Sequence, residues 1–210
     1  MDTLNKMNIL KLLSGPRLHA LVTAEKDAIH FIKKGGDALL SQSSPEQENT
    51  ITPMWYRQSQ PNSISFALII PLLLTPLIWG WSTLIHYFEL STTSGAILSL
   101  SILPFFGIYL AFILLGLKGG FIRGLLLICY FYIFNVFLTL LTFSLLIIKA
   151  VELNEWIKQL DFFPVQITLL CLCHYLMNSN SFYKLMSFYR TTRLILEAKK
   201  VRESQNKIIK

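Results

Sequence analysis

Charge is what the middle of this chain lacks. Between Arg57 and Lys118 the only acid or base is Glu89, and between Arg123 and Lys149 there is none. Charged residues make up 15% of the chain, well below the ~25% usual in soluble domains. Apolar runs of ~20 residues without charge match a hydrocarbon core of ~30 Å, and a soluble core does not demand such lengths. A disulfide framework is also missing. Cys129, Cys171 and Cys173 all fall inside the apolar runs, away from any aqueous segment where oxidation would pair them. The first residues do not read as a signal peptide, because the apolar run around Ile9–Leu13 is interrupted by Lys11 and closed by Gly15-Pro16.

Recognisable chemistry is scarce as well. There is no glycine-rich phosphate loop, no nucleophile elbow, no H-E-x-x-H and no pair of carboxylates beside a histidine. Cys171, Cys173 and His174 are ligand types that suit zinc or copper(I). On a helix, however, residues two apart point away from each other, and Cys129 and His86 are the only other soft donors. The expectation is no enzyme, no cofactor and no metal. The net charge of +7 could suit nucleic acid, but no nucleic-acid motif accompanies it. No nucleic-acid partner is expected.

What is present is an all-α membrane protein, a bundle of about four transmembrane helices between a short helical N-terminal region and a basic helical tail. Three parts follow: 1–62, 63–178 and 179–210. In the first, a short helix covers about Thr3–Leu13. A second is announced by Ser14-Gly15 before Pro16 and closed by Lys33, Lys34 and Gly35. Leu18, Leu21, Val22, Ile29 and Ile32 recur there at helical spacing, with Glu25 breaking the stripe. Ser41–Ser63 reads as a polar linker with three prolines, in which Trp55 and Tyr56 suit the headgroup level.

The spans are expected at about Ile64–Ile85, Gly95–Leu117, Gly124–Ile148 and from Phe162 to about Met177. Pro71, Pro76 and Pro104 lie inside the first two. Gly116, Gly119, Gly120 and Gly124 permit a tight basic turn and close packing of the second and third helices. Between the third and fourth spans, Leu153, Trp156, Ile157 and Leu160 mark an interfacial helix. Seven Lys or Arg precede Asn62, two flank the second turn and eight follow Tyr183, whereas the opposite side holds only Lys149 and Lys158. By the positive-inside rule both termini are cytoplasmic in a multi-pass protein of the inner (cytoplasmic) membrane.

Candidate functional residues are the polar groups at mid-membrane depth. Asn135 lies eleven residues into the third span, ~16 Å by helix rise, and His174 falls at a similar level, with Thr75 and Tyr109 not far from that plane. Intramembrane polar groups either glue helices together or line a pathway. No Asp, Glu, Lys or Arg sits inside a span to serve as a proton relay. In the tail, Phe182, Leu185, Met186 and Tyr189 form an apolar face, and Lys184, Arg190, Arg193, Lys199 and Lys200 are candidates for anionic lipid at the inner leaflet. Partners are therefore the bilayer, and proteins or further copies of the chain.

These features point to a non-enzymatic accessory or assembly subunit of an envelope complex, of the secretion, surface-assembly or immunity type. The alternatives are a small oligomeric transporter or pore and, third, a lipid-modifying enzyme. The topology is directly testable. Reporter fusions at either end should report the cytoplasm, and single cysteines in His86–Ser94 or Lys149–Asp161 should react with an impermeant thiol reagent from outside. A terminus reporting the outside would overturn it.

Overall fold

The computed structural model describes residues 15–118, 122–153 and 163–208. These form nine helices and no strands: α1 (Pro16–Lys34), α2 (Gly36–Leu40), α3 (Pro45–Thr50), α4 (Pro53–Ser59), α5 (Ile64–Tyr87), α6 (Thr92–Lys118), α7 (Ile122–Leu153), α8 (Phe163–Met177) and α9 (Asn180–Ile208). The helix expected before Leu13, the Gly119-Gly120 turn and most of the interfacial helix expected after Lys149 lie outside the described residues. Two compact units result. One comprises the described residues of Met1–Ser63, Leu114–Leu126 and Asn178–Lys210, and the other Ile64–Ile113 and Leu127–Met177.

The second unit is built from the charge-free stretches. Three segments that lie mainly in it, Ile64–Tyr87, Thr92–Gly116 and Arg123–Lys149, are long and apolar enough to cross a membrane, with mean hydropathies of 1.9, 2.3 and 2.3. They remain apolar where they are exposed: on α6, Leu100, Phe105 and Phe112 are 66%, 73% and 62% accessible. Such a surface suits lipid and would be a large exposed patch in water. This fits a membrane protein.

The fourth expected span differs in length. α8 has 15 residues, ~22 Å at 1.5 Å per residue, short of a ~30 Å hydrocarbon core. It stops because the chain turns at Asn178-Ser179. There the Ser179 hydroxyl accepts the Phe182 N–H at 3.2 Å and begins α9. α8 packs against α5. Pro71, Pro76 and Pro104 are accommodated inside continuous helices.

The other unit joins the two ends of the chain. α1 has the expected limits, with Pro16 in the first turn and Lys33 and Lys34 in the last. Its N-terminal amides lack a local side-chain cap, since Gly15 occupies that place at φ 86°. The Asn178 side chain supplies the cap, accepting from the N–H groups of Arg17 and Leu18 at 3.2 and 3.4 Å. A side chain at Gly15 would collide with Asn178.

Two expectations are corrected here. The segment read as a linker carries α3 and α4. Ser44 and Gln47 form a capping box ahead of α3, the Thr52 hydroxyl caps α4, and Pro45 and Pro53 open the two helices. The tail is helical to Ile208, but Phe182, Leu185 and Met186 are buried, and α1, α2 and α3 pack on α9. Protein therefore covers the face that the stripe assigned to lipid. Trp55, expected at the headgroup level, stacks on Phe188 with ring centroids 5.7 Å apart.

Candidate functional site

The four mid-membrane candidates lie on four helices, Thr75 on α5, Tyr109 on α6, Asn135 on α7 and His174 on α8. Thr75 is exposed and donates its hydroxyl to the Pro71 carbonyl at 2.9 Å on its own helix. Tyr109 reaches across from α6 to α7, donating to the Leu127 carbonyl at 2.8 Å. Asn135 is fully buried, and its Nδ2 donates to the Phe131 carbonyl one turn back in α7 at 2.9 Å. The His174 ring, on α8, lies 6.0 Å from that of Tyr132 on α7. Tyr109 makes an inter-helix hydrogen bond, while the Asn135 Nδ2 bonds within its own helix.

Asn135 belongs to a stripe that the sequence reading did not single out. Thr139 and Thr142 follow at i+4 and i+7, and both are buried. Thr142 donates to the carbonyls of Leu138 and Thr139 at 2.9 and 3.0 Å. The Asn135 Oδ1 and the Thr139 hydroxyl are buried with no hydrogen-bond partner among the described residues. Helical spacing alone would have revealed the stripe. Back-bonding satisfies the Thr142 hydroxyl locally, whereas the Asn135 Oδ1 and the Thr139 hydroxyl keep unused hydrogen-bonding capacity inside the apolar helices. The Gly cluster behaves as its composition predicts where described: a Cβ on Gly116 would lie 2.9 Å from the Gly124 Cα, so only hydrogen fits.

Lys149 was read as the start of a connection. It lies in the penultimate turn of α7, and 9% of it is exposed. Its Nζ donates to Glu89 Oε1 at 2.9 Å and to the Tyr87 carbonyl at 3.0 Å, and it sits 5.2 Å from the centre of the Tyr87 ring. One ammonium thereby caps the C-terminus of α5 and holds the α5–α6 connection, where Glu89 adopts φ 54°. The hydrogen bond and charge of Lys149 hold the Glu89 carboxyl below its usual range.

The densest charged site is in the unit formed by the chain ends. Glu25 on α1 is 3% exposed, and Arg193 Nη1 on α9 approaches its Oε1 at 3.0 Å. Glu48 on α3 is likewise buried. It accepts from the Ser43 hydroxyl at 2.6 Å and pairs with Arg202 at 3.3 Å. Arg202 also donates to the carbonyls of Leu40 and Ser43, each at 3.2 Å, and Lys199 reaches the Glu48 carbonyl at 3.4 Å. Of the bases proposed for lipid, Arg193 and Lys199 thus have protein partners, and Lys200 pairs with Glu197 at 2.7 Å. Arg190 is half-buried near Glu25, and Lys184 is exposed.

No group of three or more His, Cys, Asp or Glu among the described residues is placed to hold a metal, and Cys171 is exposed while Cys173 is buried. No family model matches the chain, and no curated protein and no solved structure matches it either.

Burial raises the Glu25 carboxyl from 4.5 to about 7, outweighing the attraction of Arg193 and Arg190. Between those values the folded chain holds a proton that the unfolded chain has released, so this group's contribution is complete below about pH 4.5 and is lost as pH rises towards 7. In detergent, Glu25→Gln should flatten the fall in denaturation midpoint between pH 5 and pH 7.5. An unchanged slope would show that Glu25 does not carry it.

Proposed function

We propose that the chain is a non-enzymatic, multi-pass protein of the cytoplasmic membrane, with both termini cytoplasmic, and that it acts as an accessory or assembly subunit of an envelope complex. In this reading α5, α6, α7 and the shorter α8 form the membrane part. Three long apolar helices and the asymmetry of Lys and Arg support that arrangement. Lys149 and Glu89 meet at one end of the apolar bundle, which accords with both belonging to the side poor in bases.

The observation that carries the functional reading is the commitment of both chain ends to one folded helical unit. Its internal charges are consumed in holding α9 to α1 and α3. Arg17, Lys26, Lys33, Lys34, Lys184 and Lys200 are exposed. A polar surface on a folded unit outside the bilayer suits docking of a partner. The Asn135–Thr139–Thr142 stripe, which puts polar oxygens inside the apolar helices, favours the transporter or pore alternative.

Gentle extraction and purification separate the two. A stoichiometric partner should co-purify with the wild-type chain and be lost at least tenfold on Lys26→Glu/Lys33→Glu/Lys34→Glu, with insertion and melting unchanged. Solute flux through vesicles holding the chain alone, abolished by Thr139→Val, would instead establish the alternative.

A further inference from the structure

α6 has two unlike faces. Gly95, Phe106, Tyr109 and Ile113 fall on one side and pack into the bundle. A Cβ on Gly95 would lie 2.8 Å from the Ile85 side chain of α5, the Phe106 ring is 6.4 Å from that of Phe131 on α7, and Ile113 is fully buried. The opposite side carries Ile97, Ser101, Pro104, Ile108 and Ala111, all of them exposed. Their spacing of four, three, four and three residues is the a/d seam of a heptad, the pattern of helices that pack side by side.

Lipid would suffice to cover this face if every backbone group on it were satisfied. One is not. Pro104 has no N–H, so the Leu100 carbonyl lacks the donor that the fourth residue on supplies in the rest of the helix. No side chain among the described residues donates to it instead. Pro104 is twelve residues from each end of the apolar segment Thr92–Gly116, which puts Leu100 ~6 Å from the bilayer midplane by helix rise. No water reaches that depth to replace the missing donor. A donor stands one residue away, spent where it is not needed. The Ser101 hydroxyl bonds to the Ile97 carbonyl at 2.8 Å, a group that already receives the Ser101 backbone N–H as an ordinary helical bond.

We infer that the Ile97–Ala111 face of α6 is the two-fold contact between two copies of this chain, in which each Ser101 hydroxyl donates to the Leu100 carbonyl of the other copy. Copies inserted into one membrane share an orientation, so their α6 helices run parallel. In a parallel heptad pair the side chain at the position of Ser101 enters a hole bounded by Ile97, Leu100, Ser101 and Pro104 of the second copy. Hydroxyl and freed carbonyl therefore meet twice, once on each side of the axis. Ser101 and Ala111 are small enough for close approach, and the seam carries no charge to repel its own copy. An acyl chain has no donor to offer the carbonyl, whereas a second copy brings one in register. The inference rests on α6 crossing the bilayer, not on the proposed role as a subunit.

Förster transfer between donor-labelled and acceptor-labelled full chains tests this in vesicles of phosphatidylethanolamine and phosphatidylglycerol, as lipid is added. The wild type should follow a monomer–dimer isotherm. Ser101→Ala should weaken dimerisation about sevenfold, the size of two membrane hydrogen bonds. Pro104→Ala returns an N–H to the Leu100 carbonyl, and in that background Ser101→Ala should change dimerisation less than about twofold. Ala111→Phe should weaken it about tenfold or more by overfilling the seam. Leu103→Phe, exposed but off the seam, should leave it within about twofold of the wild type. Transfer no greater than random proximity at every lipid ratio would overturn the inference. So would an equal Ser101→Ala loss with and without Pro104, or dimerisation indifferent to Ala111→Phe. Should Ala111→Phe melt early in detergent, Ser101→Ala with and without Pro104→Ala decides the matter alone.

Discussion

Two carboxylates buried against one helix hold the ends of this chain together. Glu25 and Glu48 come from the N-terminal segment, and Arg193 and Arg202 from α9, more than 150 residues later in sequence. A carboxylate so enclosed is tolerated only when paired or protonated. The surroundings of Glu48 supply a hydroxyl, a guanidinium and nearby backbone, while Glu25 remains easier to protonate than an exposed acid. The apolar packing of Phe182, Leu185 and Met186 against the N-terminal helices then follows the same line along α9. Burying that face removes apolar surface from water, and the ion pairs lie along the same helix.

In the apolar unit the constraint is inverted. Here polar groups cannot look to water, and several find a partner in their own helix or in an adjacent one, while the Asn135 Oδ1 and the Thr139 hydroxyl do not among the described residues. Thr75, Thr142 and Asn135 return to carbonyls of the preceding turn, and Tyr109 crosses from α6 to α7. The lone acid between Arg57 and Lys118 and the base that closes the charge-free stretch after Arg123 find each other as Glu89 and Lys149. A single ion pair at the end of a bundle is worth little where solvent reaches it. Its contribution is geometric, since the same ammonium caps the last carbonyls of α5.

Features encoded locally were legible in the sequence. The charge-free lengths mark α5, α6 and α7, and Pro16 and Gly35 bracket α1, because both signals act within a few residues. The caps at Ser44 and Thr52 were equally local, but three prolines in a polar segment weighted the reading towards a linker. What could not be read was pairing over long separations. Glu25 interrupts the apolar stripe of α1, and nothing near it announces Arg193. The stripe on α9 was visible, whereas its cover was not, since lipid and protein select the same residue types. Asn135 could be placed in depth from helix rise, but its partner depends on a rotamer. The missed Thr139 and Thr142 were obscured because threonine is common on apolar helices.

The joining of α1 to α9 depends most on the coupling between Glu25 and Arg193, and a double-mutant cycle measures it directly. At pH 8, denaturation of the wild type, Glu25→Gln, Arg193→Met and the double variant should show that the double loses less than the sum of the singles. A coupling of about 1 kcal/mol or more is the expected size for a partly buried pair. Additive losses would mean that the two ends of the chain are not joined through this pair, and would contradict the account.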